Sequence, residues 1–266
     1  MRPTFPTAGL SRGLQIQGRV IWALLLREVI TRFGRRNLGV LWLFLEPMLF
    51  TLGVAALWTA GGLHHGSNIP IVAFAITGYS SVLMWRNTVG HCVQALQANF
   101  NLLYHRYVLP IDVFLARIVL EVAGASASFL VLSVLFSSLG YISAPHDPLL
   151  VAAGWMMLGW FGAALGLCVG AATAFSEIVK RLWTPTAYLL FPLSGAAFMV
   201  EWLPPASREL ILMLPMVHGV ELLREGYFGH AVATHYDMGY MATFNLCLTA
   251  VGLSVVRFAS RRIEAE

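Results

Sequence analysis

The sequence is poor in charge. Only 11% of its 266 residues are Asp, Glu, Lys or Arg, whereas 58% are hydrophobic and the mean hydropathy is +0.72. Soluble domains hold about 25% charged residues, so this chain has too few to solvate a globular surface. We therefore expect an all-α, polytopic membrane protein, because lipid offers the backbone no hydrogen-bond partners and spans must be helical.

Lysine is almost missing. The single lysine, Lys180, has no GxxxxGK(S/T) phosphate-binding loop around it. If the protein uses ATP, the ATPase must therefore be a separate polypeptide, and this chain is expected to bind no cofactor of its own. ATP and magnesium would be used by that partner.

Cysteine is scarce, and no enzyme motif stands out. Cys92, Cys168 and Cys247 are far apart without CxxC spacing, which argues against a disulfide framework and a metal site. His218 and Glu221 share a helix face, but two ligands do not make a metal centre, so structural hydrogen bonds are favoured. A membrane enzyme would need a catalytic constellation that the sequence lacks. The N-terminus shows no pattern of a removable signal peptide.

Six segments are apolar and long enough to cross a bilayer, which takes about 20 helical residues. They are residues 38–58, 69–85, 114–140, 149–175, 184–200 and 237–256. The second and fifth are short, so each is expected to be tilted little, broken or re-entrant. Alternate connecting segments carry 15 of the 17 positive residues. The positive-inside rule then places both termini, 1–37 and 257–266, in the cytoplasm, on either side of a membrane domain at 38–256.

The segment before the first span has the pattern of an amphipathic helix. Its apolar face carries Trp22, Leu25, Leu26, Val29, Ile30 and Phe33, and its polar face carries Gln17, Arg27, Glu28, Thr31 and Arg35. We expect the helix to lie in the cytoplasmic interface, with its arginines near headgroup phosphates. It is either an anchor that sets topology or, in addition, a place where some arginines meet an anionic substrate.

Two cytoplasmic loops are candidate docking surfaces for a partner ATPase. In the longer loop, 86–112, apolar side chains follow helical spacing, and in the shorter loop, 176–183, Ser176 is a candidate N-cap. The candidate docking residues are Leu96, Phe100, Leu103, Tyr104, Glu177, Lys180 and Arg181.

Residues 201–230 are too apolar for a solvated loop and too interrupted by proline for one span. We expect two short helices that re-enter the membrane or lie on its outer interface. One is predicted over 207–214, capped by Ser207, and the other over 216–225.

Charged residues inside spans are functional candidates, because their insertion is costly. Glu46 lies well inside the first span, beside Pro47, which is expected to bend that helix. Arg117 and Glu121, spaced i and i+4, are predicted to form an ion pair that is either functional or simply structural.

Four stretches together carry a family resemblance. They are REVITRFGRRNLGVLWLFLEP (27–47), ITGYSSVLMWRN (76–87), NLLYHRYVLPIDVFLARIVLE (101–121) and LPMVHGVELLREGYFG (214–229). The chain resembles the membrane subunit of ABC-type polysaccharide exporters, most closely the capsular polysaccharide export permeases of Gram-negative bacteria. The O-antigen and teichoic-acid exporters share the layout, so export of those polymers or of another amphiphile remains an alternative.

The resemblance implies an assembly. Two copies of the permease would form the path through the inner membrane, and two copies of a separate ATPase would bind below. A periplasmic co-polymerase and an outer-membrane exporter would work with them. The substrate would be a lipid-linked and often acidic polysaccharide.

The resemblance also gives the charged and aromatic residues a role. An anionic glycan would be attracted to a basic entrance, formed by Arg27, Arg32, Arg35, Arg36 and Arg86. Candidate residues of the translocation path are Glu46, Trp42, Tyr79, Trp85 and Tyr188. Sugar rings stack on aromatic side chains, although the same aromatic residues are also typical of an interfacial belt.

Overall fold

The computed structural model describes residues 10–33, 38–61, 69–103 and 108–263, and these ranges contain eleven α-helices and no strand. The helices are Leu10–Phe33 (α1), Leu38–Ala60 (α2), Ile71–Val93 (α3), Ala95–Ala98 (α4), Phe100–Leu103 (α5), Pro110–Ser138 (α6), Pro148–Ala172 (α7), Glu177–Leu193 (α8), Pro205–Ile211 (α9), Pro215–Phe228 (α10) and Met238–Ile263 (α11). The all-α prediction is confirmed.

Helix α7 lies at the centre of the bundle and packs against α3, α10 and α11. Close approach to α3 depends on Gly162, because a Cβ atom there would lie 2.8 Å from the Cα of Trp85. Small residues let membrane helices pack backbone to backbone in this way. The rest of the interface is apolar, with Leu158 and Phe161 of α7 buried in the main hydrophobic cluster.

Two ends of the bundle can be distinguished. At the first, α3, α7 and α11 finish while α6 and α8 begin, and we call it the basic end because Arg117, Lys180 and Arg262 lie there. At the opposite or distal end, α8 and α10 finish while α7 and α11 begin, and the last turn of α10 bonds to His146 and Asp147 just before α7.

Three of the described helices, α6, α7 and α11, are long and apolar enough to cross a membrane by length and composition. Helix α2 contributes a shorter apolar stretch, Met48–Ala60. The predicted total of six spans stays a prediction.

Helix α3 corrects the predicted second span and the loop after it. It runs to Val93, so Arg86 lies on a helix and the supposed loop 86–112 begins as two further helical turns. The helix continues because one of its faces stays packed in the core: Trp85, Val89 and Cys92 are at helical spacing and fully buried. The polar residues between them lower the local hydropathy and so hid the continuation.

Helix α8 corrects the predicted fifth span. It begins at Glu177 rather than near 184, so the supposed loop 176–183 forms its first turns. The predicted N-cap is confirmed, because the Ser176 hydroxyl accepts a hydrogen bond from the backbone N–H of Ile178 at 3.2 Å. The helix ends at Leu193, followed by Gly195 at a φ of 82°, a conformation that favours glycine.

The two helices predicted between the fifth and sixth spans are present as α9 and α10. Ser207 does not cap α9, because that helix already begins at Pro205, a residue suited to the first helical position. Helix α10 is longer than predicted and is buried along most of its length against α7. It is therefore a helix of the protein interior rather than a surface segment.

Helix α1 matches the predicted faces in part. Trp22, Leu26 and Ile30 are exposed and Glu28 is buried as the two faces require, but Arg27 on the predicted polar face is exposed. The packed face combines Glu28 with apolar Leu24, and it lies on α6, where Gln17 donates a hydrogen bond to Asp112. The exposed apolar face is then the face available to lipid.

Candidate functional site

A groove at the basic end brings the two predicted docking segments together. It is a cavity of about 750 Å³, lined by five of the predicted docking residues and by Arg262 of α11. Those five residues are Leu96, Phe100, Glu177, Lys180 and Arg181. Lys180 donates a hydrogen bond to the side chain of Gln97, which ties the start of α8 to α4. We call this cavity the docking groove.

The docking groove combines an apolar surface with surplus positive charge. Phe100 is 42% exposed at its edge. Among the described residues, three cations line it against one carboxylate, Glu177, which itself lies 3.8 Å from Arg181. Such a surface complements a protein segment that carries apolar and acidic side chains. Of the other predicted docking residues, Leu103 packs against a core cluster, and Tyr104 lies outside the described residues.

A buried polar cluster lies beneath α1 and includes the predicted pair Arg117 and Glu121. Arg117 forms an ion pair with Glu28 of α1 at 3.1 Å, and its guanidinium also donates to the backbone carbonyl of His91. Glu121 lies 3.4 Å from the ring nitrogen of His91. The sequence identified two members of this cluster and missed Glu28 and His91, which join it from α1 and α3.

The structure describes only some of the predicted entrance residues. Arg27 donates a 2.5 Å hydrogen bond to Asn99, and both residues line a cavity of about 360 Å³ with Arg117. Arg86 lies apart from them, on α3 facing α8. The side chain of Arg32 and the whole of Arg35 and Arg36 lie outside the described residues.

A row of aromatic rings runs along α2, α3 and α8 from the basic end to the distal end. The Arg86 guanidinium lies 4.8 Å from the ring centre of Tyr188 and 5.8 Å from that of Phe191. From Phe191 onward, contacting ring centres are 5.3 to 6.3 Å apart, in the range of favourable aromatic pairs. The rings of this aromatic row are Tyr188, Phe191, Phe50, Tyr79, Trp58, Phe74 and Trp202.

The aromatic row contains two of the predicted path residues, Tyr79 and Tyr188. Its other members were missed, although helical spacing gives a signal for some of them, since Phe50 and Trp58 are eight residues apart on α2. Trp85 lies away from the aromatic row: it is fully buried and packs against Phe161 of α7 at 5.9 Å, on the side of α3 that faces the core.

Glu46 is exposed and lies beside the aromatic row. Together with Phe50, Arg86 and Asn87 it lines a small cavity of about 160 Å³ between α2 and α3. The side chain of Trp42, the remaining predicted path residue, lies outside the described residues.

At the distal end, Arg224 of α10 organises the break after α8, a role that no local sequence pattern predicted. Its guanidinium donates to the carbonyls of Gly195, Ala196 and Phe198 at 2.6 to 2.8 Å. These carbonyls follow the last turn of α8, where a cation is favourable. The same guanidinium lies 3.9 Å from the ring centre of Phe74, so it also fixes one ring of the aromatic row.

His218 and Glu221 of α10 hold the loops around them. His218 accepts a hydrogen bond from the backbone N–H of Asp237 and contacts the carbonyl of Leu212 through its other nitrogen. Glu221 accepts from the backbone N–H groups of Val200 and His235. These are structural hydrogen bonds, the interpretation that the sequence favoured.

Comparison with known proteins places the chain among transporter proteins of the bacterial inner membrane. Residues 19–228 match the ABC-2 type transporter family. The chain is 41% identical over 253 residues to the capsule polysaccharide export inner-membrane protein CtrC of Neisseria meningitidis serogroup A, covering 95% of this chain and 96% of CtrC. It is 39% identical over 255 residues to BexB of Haemophilus influenzae, with 96% of both chains covered. The polysialic acid transport protein KpsM of Escherichia coli is 29% identical over 251 residues, covering 92% of this chain and 95% of KpsM.

Proposed function

The chain belongs to the ABC-2 type transporter family, and we propose that it is the membrane subunit of an ATP-driven exporter of lipid-linked capsular polysaccharide. The observation that carries this proposal is the similarity, along almost the whole chain, to inner-membrane proteins of capsule polysaccharide export. The chain itself is a multi-pass inner-membrane protein.

The basic end faces the cytoplasm in this proposal, and six spans leave both termini there. The charge distribution supports this orientation, because the positive residues concentrate in alternate connecting segments. Helix α1 then lies in the cytoplasmic interface, with its exposed apolar face toward lipid and its packed face on α6.

The chain works as a homodimer that binds two copies of a separate ATPase at the docking groove. In support, the groove joins α4, α5 and α8 in one surface, so a partner bound there contacts three elements at once. The partner hydrolyses ATP with magnesium. A periplasmic co-polymerase and an outer-membrane exporter continue the route to the cell surface.

The substrate enters near Arg27, Arg32, Arg35, Arg36 and Arg86 and crosses along the face formed by α2, α3 and α8. The aromatic row supports this route, because Phe50 and Tyr188 are exposed on it and apolar faces of sugar rings stack on such side chains. Glu46 lies at the same face. This face becomes a closed path when the second copy of the chain covers it.

Deletion of the gene from an encapsulated strain tests the proposal. We expect capsule to disappear from the surface while lipid-linked polymer accumulates inside, and wild-type protein to restore export and to co-purify with a Walker-type ATPase. Normal capsule in the deletion strain would contradict the proposal. Loss of O-antigen or teichoic acid in place of capsule would assign a different substrate to the same transporter.

A further inference from the structure

A second cavity at the basic end lies between α3 and α8 and adjoins the docking groove, with which it shares Val93 and Lys180. It has a volume of about 310 Å³, within the range of ligand pockets, about 300–1,000 Å³. Its wall includes Arg86, Asn87 and Gln94 on one side and Lys180, Thr184 and Tyr188 on the other. Among the residues that the structure describes, no aspartate or glutamate lines it.

The cations of this cavity have donors to spare. The Arg86 guanidinium makes cation–π contacts with the rings of Tyr188 and Phe191, and no described residue accepts a hydrogen bond from it. A guanidinium carries five N–H donors in a planar fork that matches a carboxylate. Lys180 bonds to Gln97 but carries three ammonium donors. Both cations are therefore available to an anion.

The remaining wall suits a polyhydroxylated ring. Asn87 and Gln94 provide amide groups and Thr184 provides a hydroxyl, all of which donate to and accept from sugar hydroxyls. Tyr188 is exposed and offers the flat face on which a sugar ring packs, and Trp183 closes the inner wall.

We propose that this cavity binds an acidic sugar of the transported polymer, with its carboxylate held by Arg86 and Lys180. The hydroxyls bond to Asn87, Gln94 and Thr184, and the ring lies on Tyr188. This inference rests on the proposed function and adds a substrate class to it. The permease would select carboxylate-bearing polymers over neutral ones at this point of the route.

Glu46 sharpens the selection. Arg86 and Asn87 also line the small cavity that contains Glu46, so they separate a carboxylate on α2 from the cavity that lacks one. A carboxylated sugar is repelled on the Glu46 side and attracted on the Lys180 side, since like charges disfavour and opposite charges favour each other at short range.

Binding of soluble oligosaccharides to the full-length chain tests the proposal. The purified protein, in lipid nanodiscs with its ATPase, is titrated with tetragalacturonate and with a sialic acid tetramer, each beside its carboxyl-reduced neutral form. Calorimetry gives the affinities. We expect at least one acidic oligomer to bind more tightly than its neutral form by about tenfold or more, since charged hydrogen bonds have that strength.

Variants locate the binding. Arg86→Gln and Lys180→Gln should each weaken acidic binding about tenfold and leave neutral binding unchanged, because each removes one cation. Tyr188→Leu should weaken both kinds of oligomer. Arg257→Gln, an equal change of charge at an exposed position on α11, should have no effect.

Three outcomes would overturn the proposal: equal affinity for acidic and neutral forms of both oligomers, unchanged binding in Arg86→Gln, or stronger competition by glycerol 1-phosphate than by galacturonate. The last result would assign the cavity to a phospholipid headgroup. The same preparations report whether the ATPase remains bound, so a wild-type complex that is intact but shows no preference for acidic oligomers removes this site without removing the proposed function.

Discussion

Arg117 of α6 and Glu28 of α1 form a 3.1 Å ion pair in which both side chains are at least 90% buried. This pair holds α1 against the first turns of α6, a helix long and apolar enough to cross a membrane. Helix α1 is therefore fixed to the protein by charge.

Removal of Glu28 should destabilise the protein strongly. In Glu28→Ala, Arg117 loses the carboxylate that α1 contributes to a buried ion pair, and breaking a buried pair in this way costs about 3–5 kcal/mol. We expect the midpoint of thermal unfolding in detergent to fall clearly below that of the wild type, as measured by fluorescence-detected gel filtration.

An exposed pair provides the control. Glu177→Gln breaks the pair with Arg181, in which both side chains are more than 80% exposed, and surface pairs contribute about 0–1 kcal/mol. The double variant Glu28→Leu/Arg117→Met should recover much of the loss, because it removes both buried charges. If Glu28→Ala unfolds at the wild-type temperature, the pair does not fix α1.

Gly78 of α3 is predicted to tolerate no side chain. A Cβ atom there would lie 2.3 Å from the carbonyl oxygen of Ala196 and 2.7 Å from the guanidinium of Arg224. Because the obstacle includes backbone, Gly78→Ala must displace the break after α8, and we expect poor yield or a large fall in thermal midpoint.

Gly53 of α2 is the matched control, since a Cβ atom there meets nothing within 4 Å. Gly53→Ala should leave the midpoint unchanged or raise it, because alanine favours a helix over glycine by about 1 kcal/mol. Equal behaviour of the two variants would contradict the close packing of α3 against the α8 break.

Local sequence patterns predicted a helix well where its buried residues are also the residues of its apolar run. Ser176 was identified as a cap because capping depends on neighbouring residues alone. The end of α3 was missed because Arg86 and Asn87 interrupt the apolar run on one face, while Trp85 and Cys92 continue the buried face.

In the candidate site, too, local sequence patterns identified single residues but not the partners that join them from distant helices. Helical spacing identified Phe100 as a docking candidate and a predicted cytoplasmic loop identified Lys180, and the fold places both in one groove together with the distant Arg262. The i, i+4 rule identified Arg117 with Glu121, whereas Glu28 joins them from a helix far away in sequence. Partners of this kind depend on topology, which a single sequence does not specify.

A pH-dependent contact is expected at the distal end. Glu201, in the turn after α8, contacts His235 at 2.5 Å and Arg208 at 3.1 Å. The hydrogen bond to His235 is the largest effect and holds the pKa of Glu201 below its ordinary value, with the charge of Arg208 adding to it, against desolvation, which acts in the opposite direction. The stabilisation is complete above the ordinary pKa of a glutamate and is lost as pH falls through the lower folded-state value.

Glu201→Gln should therefore lower the thermal midpoint at pH 7, and the difference from wild type should shrink as the pH is lowered toward 3. Since Glu201 is exposed, we expect a small effect. Glu209→Gln on α9 removes an exposed carboxylate nearby and should give no pH-dependent difference. A difference for Glu201→Gln that is the same at pH 3 and pH 7 would contradict the assignment.

The docking groove predicts a variant that folds and loses its ATPase. Phe100 is exposed at the edge of the groove, so Phe100→Ser removes apolar contact area from a partner without opening a cavity in the core. Aromatic contacts of this kind contribute about 2 kcal/mol or more at protein interfaces. We therefore expect association with the ATPase to weaken more than tenfold in a pull-down titration, while the thermal midpoint of the permease alone stays unchanged.

Phe258→Ser is the control, because it changes an exposed phenylalanine on α11 outside the groove and should retain the ATPase. Full ATPase binding by Phe100→Ser would place the docking surface elsewhere.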